Sequence, residues 1–132
     1  MTKNDSPLET IEQIAVVQWC ELQGLKFTAI PNSTYSPHMS VKMRNHREGV
    51  RAGFPDMVVL IPPKQSKDGL GYMLCVEMKR VTGGILSQVQ KDWAIALNGL
   101  ESPNIEAVVA RGADEAIEYI SSFLKKIVEY NI

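Results

Sequence analysis

Apolar positions recur along this chain in two different rhythms. Between Leu8 and Leu22 they return every three or four residues, so that Leu8, Ile11, Ala15, Trp19 and Leu22 mark one face of a helix. Val16, Val17 and Cys20 widen the apolar surface, and the helix is therefore expected to be covered on more than one side. Ser6-Pro7-Leu8-Glu9 supplies a cap, a first-turn proline and an acidic third position, and Gly24 supplies the stop. Leu25–Ile30 then reads as a strand closed by Pro31-Asn32. Met57–Ile61 and Tyr72–Lys79 are continuous apolar runs rich in β-branched residues and bounded by Gly and Pro, the mark of buried strands. The connector between them, residues 62–71, carries Pro-Pro and Asp-Gly and reads as an exposed loop.

The helical rhythm returns after Gly84, from Leu86 to Asn98-Gly99, with Ser87 placed to cap it. Ile105–Ala110 is the next strand. Gly112 opens a last amphipathic helix with Ile117, Ile120, Leu124, Ile127 and Val128 inward and Lys125 and Lys126 at its C-terminal end. The order α-β-β-β-α-β-α predicts an α/β domain, a mixed β-sheet flanked by helices. At 132 residues the chain is read as a single domain, 1–132.

Composition adds little to the fold and something to the function. Hydrophobic residues make up 45% of the chain and charged residues 22%, ordinary for a globular domain. No apolar run approaches the roughly 18 residues of a membrane span, and the opening residues lack the apolar stretch of a signal peptide. Cys20 and Cys75 sit in apolar contexts without metal-ligand spacing, so buried free thiols in a cytoplasmic setting are expected. The net charge of −1 does not advertise nucleic acid, and any such surface must be local. The densest positive charge is Lys42, Arg44, Arg47 and Arg51, set against Glu48 with His38 and His46 interspersed. This stretch is either a phosphate-contacting loop or short helix, or a solvated charged face.

The chemistry concentrates on the two buried strands. Glu77 and Lys79, one residue apart, share a strand face, and Asp56 stands where the preceding strand begins. Buried charges without partners are costly. If the strands are neighbours, Asp56 and Glu77 repel one another unless a cation lies between them, and such oxygen ligands suit Mg²⁺ or Mn²⁺. Each piece alone has a plainer reading: Phe-Pro-Asp as a turn, Glu-x-Lys as a surface pair worth under about 1 kcal/mol. Glu9 and Gln13 project together from the first helix, and for Glu9 a capping box with Ser6 competes with a place in the site.

Taken in order, Gly-Phe-Pro-Asp56 and Val-Glu77-Met-Lys79 resemble the PD-(D/E)xK nuclease signature. The continuation Gly84-Ile-Leu-Ser87-Gln-Val-Gln90-Lys-Asp-Trp93 resembles the VRR-NUC family, virus-type replication-repair nucleases, and does so in the manner of compact stand-alone phage and bacterial members. Glu9-x-x-x-Gln13 with Trp19, the Pro31-Asn32 pair and the tail Val108-Val109-Ala-Arg-Gly-Ala-Asp114 extend the resemblance over nearly the whole chain. The resemblance implies that Asp56, Glu77 and the backbone carbonyl of Met78 hold the divalent metal. It further implies that Lys79 orients water or steadies developing charge, that Gln90 lines the site, and that Glu9, with Glu12 as the fallback, reaches the metal through water.

The function expected is therefore Mg²⁺- or Mn²⁺-dependent endonucleolytic cleavage of DNA, with branched or flapped structures as the substrate and a homodimer as the working unit. Lys42, Arg44, Arg47, Arg51 and Ser87 are the expected nucleic-acid contacts. The rivals are a sequence-tolerant nicking nuclease and a non-catalytic DNA-binding or docking domain.

Overall fold

A computed structural model describes residues 7–31 and 38–127. Ser6, Asn32 and Val128, given roles above, lie outside them. The elements are α1 (Pro7–Leu22), β1 (Lys26–Ala29), α2 (Met39–Arg47), β2 (Met57–Ile61), β3 (Tyr72–Lys79), α3 (Gln88–Asn98), β4 (Ile105–Arg111) and α4 (Ala113–Ile127). The expected order holds, with the basic segment forming the short helix α2. Among the described residues no helix is long and apolar enough to cross a membrane.

The strands form one mixed sheet in the order β1-β2-β3-β4, antiparallel except for the parallel β3–β4 pair. A parallel neighbour needs a crossover, and α3 is that crossover. Leu74, Val76 and Met78 of β3 face α1 and α4 together with Met57, Val59, Ile61, Val16, Cys20, Ile120 and Leu124. Cys75 and Met73 face the other way, with Val58, Ala107, Ala94 and Leu97 on the α3 side. Because both faces are covered, β2 and β3 are largely buried and, apart from Glu77 and Lys79 at the end of β3, apolar, whereas the edge strand β1 is mostly exposed. Both cysteines are buried free thiols, and burial pushes the Cys20 thiol up to about 11.

The other edge, β4, is closed by a side chain. Asn98, the last residue of α3, accepts from the Ala107 N–H (2.9 Å) and donates to the Ala107 carbonyl (3.1 Å), taking the place of a further strand.

The inward face of α1 differs from the expected one. Val16 and Cys20 are fully buried, whereas Ile11 is 63% and Leu22 84% exposed. The reason is polar: Glu9 and Glu12 are partly buried on this helix and are drawn to charges and amides at the sheet end, and this fixes its rotation. α1 packs on α4 and β3, and Ile11, Ile14 and Leu22 remain as an exposed apolar stripe.

Candidate active site

Register brings the acids together. Met57 pairs with Val76 in the antiparallel β2–β3 ladder, so Asp56, one step further, lies opposite Glu77. Period-two alternation puts Asp56 on the face of Val58, and Glu77 and Lys79 on the face of Cys75, all toward α3.

Three contacts fix the turn that presents Asp56. Gly53 has φ of +101°, and a Cβ there would stand 2.9 Å from Trp93 and from the Val89 backbone. Trp93 donates its indole N–H to the Ala52 carbonyl at 3.0 Å. Phe54 meets the Trp93 ring edge-on, with centroids 5.3 Å apart. The Gly-Phe-Pro-Asp stretch is thereby seated on α3, and Asp56 Oδ2 accepts the Met78 N–H at 2.8 Å.

Glu77 is 5% and Lys79 1% exposed. Gln90 links Glu77 to the start of α3. Its carbonyl oxygen accepts the Ser87 N–H at 2.9 Å while its amide donates to Glu77 Oε2 at 3.0 Å. Ser87 Oγ accepts the Gln90 N–H in return, completing a capping box. Lys79 Nζ lies 3.8 Å from the same Glu77 oxygen. The other oxygen, Oε1, is buried with no hydrogen-bond partner. Burial first, and then the charge and hydrogen-bonding reach of Asp56, push the Glu77 carboxyl up to about 9, with Lys79 opposing.

Of the two first-helix candidates, Glu9 faces this cluster. Burial raises its carboxyl above the ordinary range, against the pull of Lys79 and Arg80 and with a further push from Asp56. Glu12 is engaged elsewhere: its Oε1 accepts the Ala113 N–H at 2.6 Å, capping α4, beside Gly112, whose own N–H donates to the Lys79 carbonyl.

The basic segment is separate in character. α2 buries none of its residues, and Lys42, Arg44 and Arg47 are exposed on it. Arg51 is partly committed to structure, donating to the His46 carbonyl (2.8 Å) and the Val50 carbonyl (3.0 Å) at the end of α2. The Ser87 oxygen is likewise used within its capping box, and its hydroxyl proton is what remains to offer a ligand. Sequence reasoning passed over Arg80 and Arg111 as functional residues; their signal is position, at the ends of the two strands that run parallel.

An orphaned, buried carboxylate oxygen opposite a second carboxylate fits a hard divalent cation. Among the described residues no group of three or more His, Cys, Asp or Glu side chains is placed to hold a metal. Two carboxylates and a carbonyl suit Mg²⁺, which keeps several of its waters.

Comparison with known proteins identifies the family and the fold. The model of the VRR-NUC domain matches residues 4–114. A solved structure described as a VRR_NUC domain protein aligns with a TM-score of 0.67 over 92% of this chain and 91% of that one, at 23% identity, and so shares its fold. No curated protein matches the chain. With the family model and the shared fold in agreement, the chain belongs to the VRR-NUC domain family and is a nuclease domain of the PD-(D/E)xK type.

Proposed function

We propose that the protein is a Mg²⁺- or Mn²⁺-dependent DNA endonuclease of branched or flapped intermediates, with 1–132 as its single domain. The observation that carries the chemistry is Glu77 Oε1, a buried and unpartnered oxygen opposite Asp56. Asp56, Glu77 and the Met78 carbonyl would hold the cation, which when bound supplies Lewis-acid polarisation of the phosphodiester and of the attacking water. Gln90 and the Met78 N–H each engage one oxygen of an acid, leaving the other oxygen for the ligand. Lys79, held dry beside Glu77, is placed to orient the nucleophile or to offset charge developing on phosphorus. Glu9 would add a water-mediated contact. Exposed Lys42, Arg44 and Arg47 offer phosphate contacts along the duplex, with Arg51 and Ser87 as lesser contributors.

A homodimer is proposed because α1 keeps Ile11, Ile14 and Leu22 exposed after packing on α4, and because symmetric branches call for paired cuts. Labelled junctions, flaps and duplexes, incubated with and without Mg²⁺, test the activity. Preferential cutting of branched substrates is expected; no metal-dependent cutting of any of them overturns the proposal. Light scattering at micromolar concentration tests the dimer, and a strictly monomeric mass with and without DNA removes it.

A further inference from the structure

The C-terminal ends of the two parallel strands carry a pair of arginines that the roles above do not use. Arg111 pairs in register with Lys79 across the β3–β4 ladder, so it lies on the Lys79 side of the sheet. Arg80, the residue that follows β3, lies near enough to α1 for its charge to act on Glu9. The two guanidinium groups thus bracket the sheet end that holds Glu77 and Asp56.

Among the described residues neither guanidinium is in an ion pair, although the Arg80 charge acts on Glu9 from a longer range. Among the described residues the ion pair at this end of the sheet is Lys79–Glu77, and neither Arg80 nor Arg111 reaches a carboxylate at that distance. Each guanidinium makes a single hydrogen bond, to the loop between β3 and α3. Arg111 Nη1 donates to the Gly84 carbonyl at 2.6 Å, and Arg80 Nη2 donates to the Gly83 carbonyl at 3.4 Å. A guanidinium has five N–H donors in a rigid fork. Consecutive carbonyls therefore aim two forks, and most donors of each are left for a ligand. Arg111 is exposed and Arg80 half-buried, so both are reachable.

The ligand must be anionic, planar or tetrahedral in its oxygens, and able to lie beside a cation-loaded carboxylate pair. A carboxylate-bearing peptide meets the first demand, but a nuclease site presents a phosphate chain, in which each scissile group has charged neighbours on either side. We propose that Arg80 and Arg111 form a second phosphate subsite that grips a phosphodiester adjoining the one being cut. The inference rests on the nuclease reading above and assigns a grip on the cut strand that does not depend on α2.

Salt titration tests it, with a labelled duplex and the full chain carrying Asp56→Asn to prevent cleavage. Arg80→Gln and Arg111→Gln should each flatten the dependence of log Kd on log salt by about 0.9, the value for one lost phosphate contact. In the cleaving protein the same substitutions should raise KM more than they lower kcat. Arginines that merely brace the 80–87 loop would instead lower the thermal midpoint and kcat with the salt slope unchanged, and that result overturns the proposal. A variant that fails to fold leaves the question to the unmodified protein and chemically altered DNA. Neutral methylphosphonate linkages placed one at a time around the cut should weaken wild-type binding at a neighbouring position, and indifference at every neighbour again overturns the subsite. If the wild type cuts DNA while the slopes stay unchanged, the subsite alone falls. If it neither binds nor cuts, the nuclease reading falls with it.

Discussion

Asp56 and Glu77 confront each other across the β2–β3 ladder, one step past the Met57–Val76 pair, and both point to the α3 side of the sheet. Burial and the neighbouring Asp56 charge both disfavour the ionised Glu77 carboxyl in the metal-free fold. Asp56→Asn and Glu77→Gln should each abolish metal-dependent cleavage while raising the thermal midpoint of the metal-free protein, since the first removes a charge that disfavours ionised Glu77 and the second removes the buried carboxyl itself. Undiminished cleavage by Asp56→Asn in Mg²⁺ would sink the site assignment.

Stability should depend on pH in a set direction. The Glu77 carboxyl stands at about 9 in the fold against an ordinary 4.5, so the folded state holds its proton more tightly than the unfolded chain. Its contribution is complete below the unfolded value and is lost as pH rises toward the folded one. Metal-free protein should therefore lose thermal stability as pH rises between 4.5 and 9, and Glu9, also raised, acts in the same sense. Glu77→Gln should flatten the profile. Melts in a chelator across this window check it, and a wild-type profile no steeper than that of Glu77→Gln contradicts the assigned cause.

Lys79 separates chemistry from packing. Its side chain is 1% exposed, and its stem lies against Gly84, where an added Cβ would come within 3.3 Å. Lys79→Met keeps the stem and removes the ammonium. The cleavage rate should fall by a factor on the order of 10² or more, with little change in DNA affinity; single-turnover kinetics beside a binding isotherm will show whether the two move apart.

Gly53 opens the Gly-Phe-Pro-Asp stretch and supports Asp56 by its lack of a side chain. Gly53→Ala places a methyl 2.9 Å from Trp93 and the Val89 backbone at a φ of +101°. The overpacking should cost about 1–3 kcal/mol, and denaturant titration measures it directly. Trp93→Phe, which loses the bond to the Ala52 carbonyl and part of the ring packed against Gly53 and Phe54, should cost at least about 1 kcal/mol.

The α2 patch makes its own prediction. Neutralising Lys42, Arg44 and Arg47 together should weaken DNA binding and flatten its salt dependence without lowering single-turnover kcat. An unchanged slope means that α2 does not touch phosphate.

The parts of this architecture legible in the sequence were those with a local signal. Strand alternation placed Glu77 and Lys79 on one face, and Gly24 and Ser87 marked a helix end and a helix start within a residue. The α1 face was misread because its apolar residues run around most of the helix. The rotation is decided by Glu12, whose partner Ala113 lies 101 residues away. Arg80 and Arg111 were invisible as a pair for the same reason, since only the parallel β3–β4 register makes them neighbours of one site. Periodicity shows what an element is; it does not show which distant amide will claim an acid on its surface.

The Gln90 bridge has a consequence for a newly made chain. Its carbonyl is engaged by the first turn of α3 and its amide by Glu77, so the acid takes its working orientation only when that helix has capped itself and docked. β4 follows α3 in the chain, and Asn98 clasps β4. A chain still emerging from the ribosome therefore holds the acids and the lysine but lacks the part that aligns them.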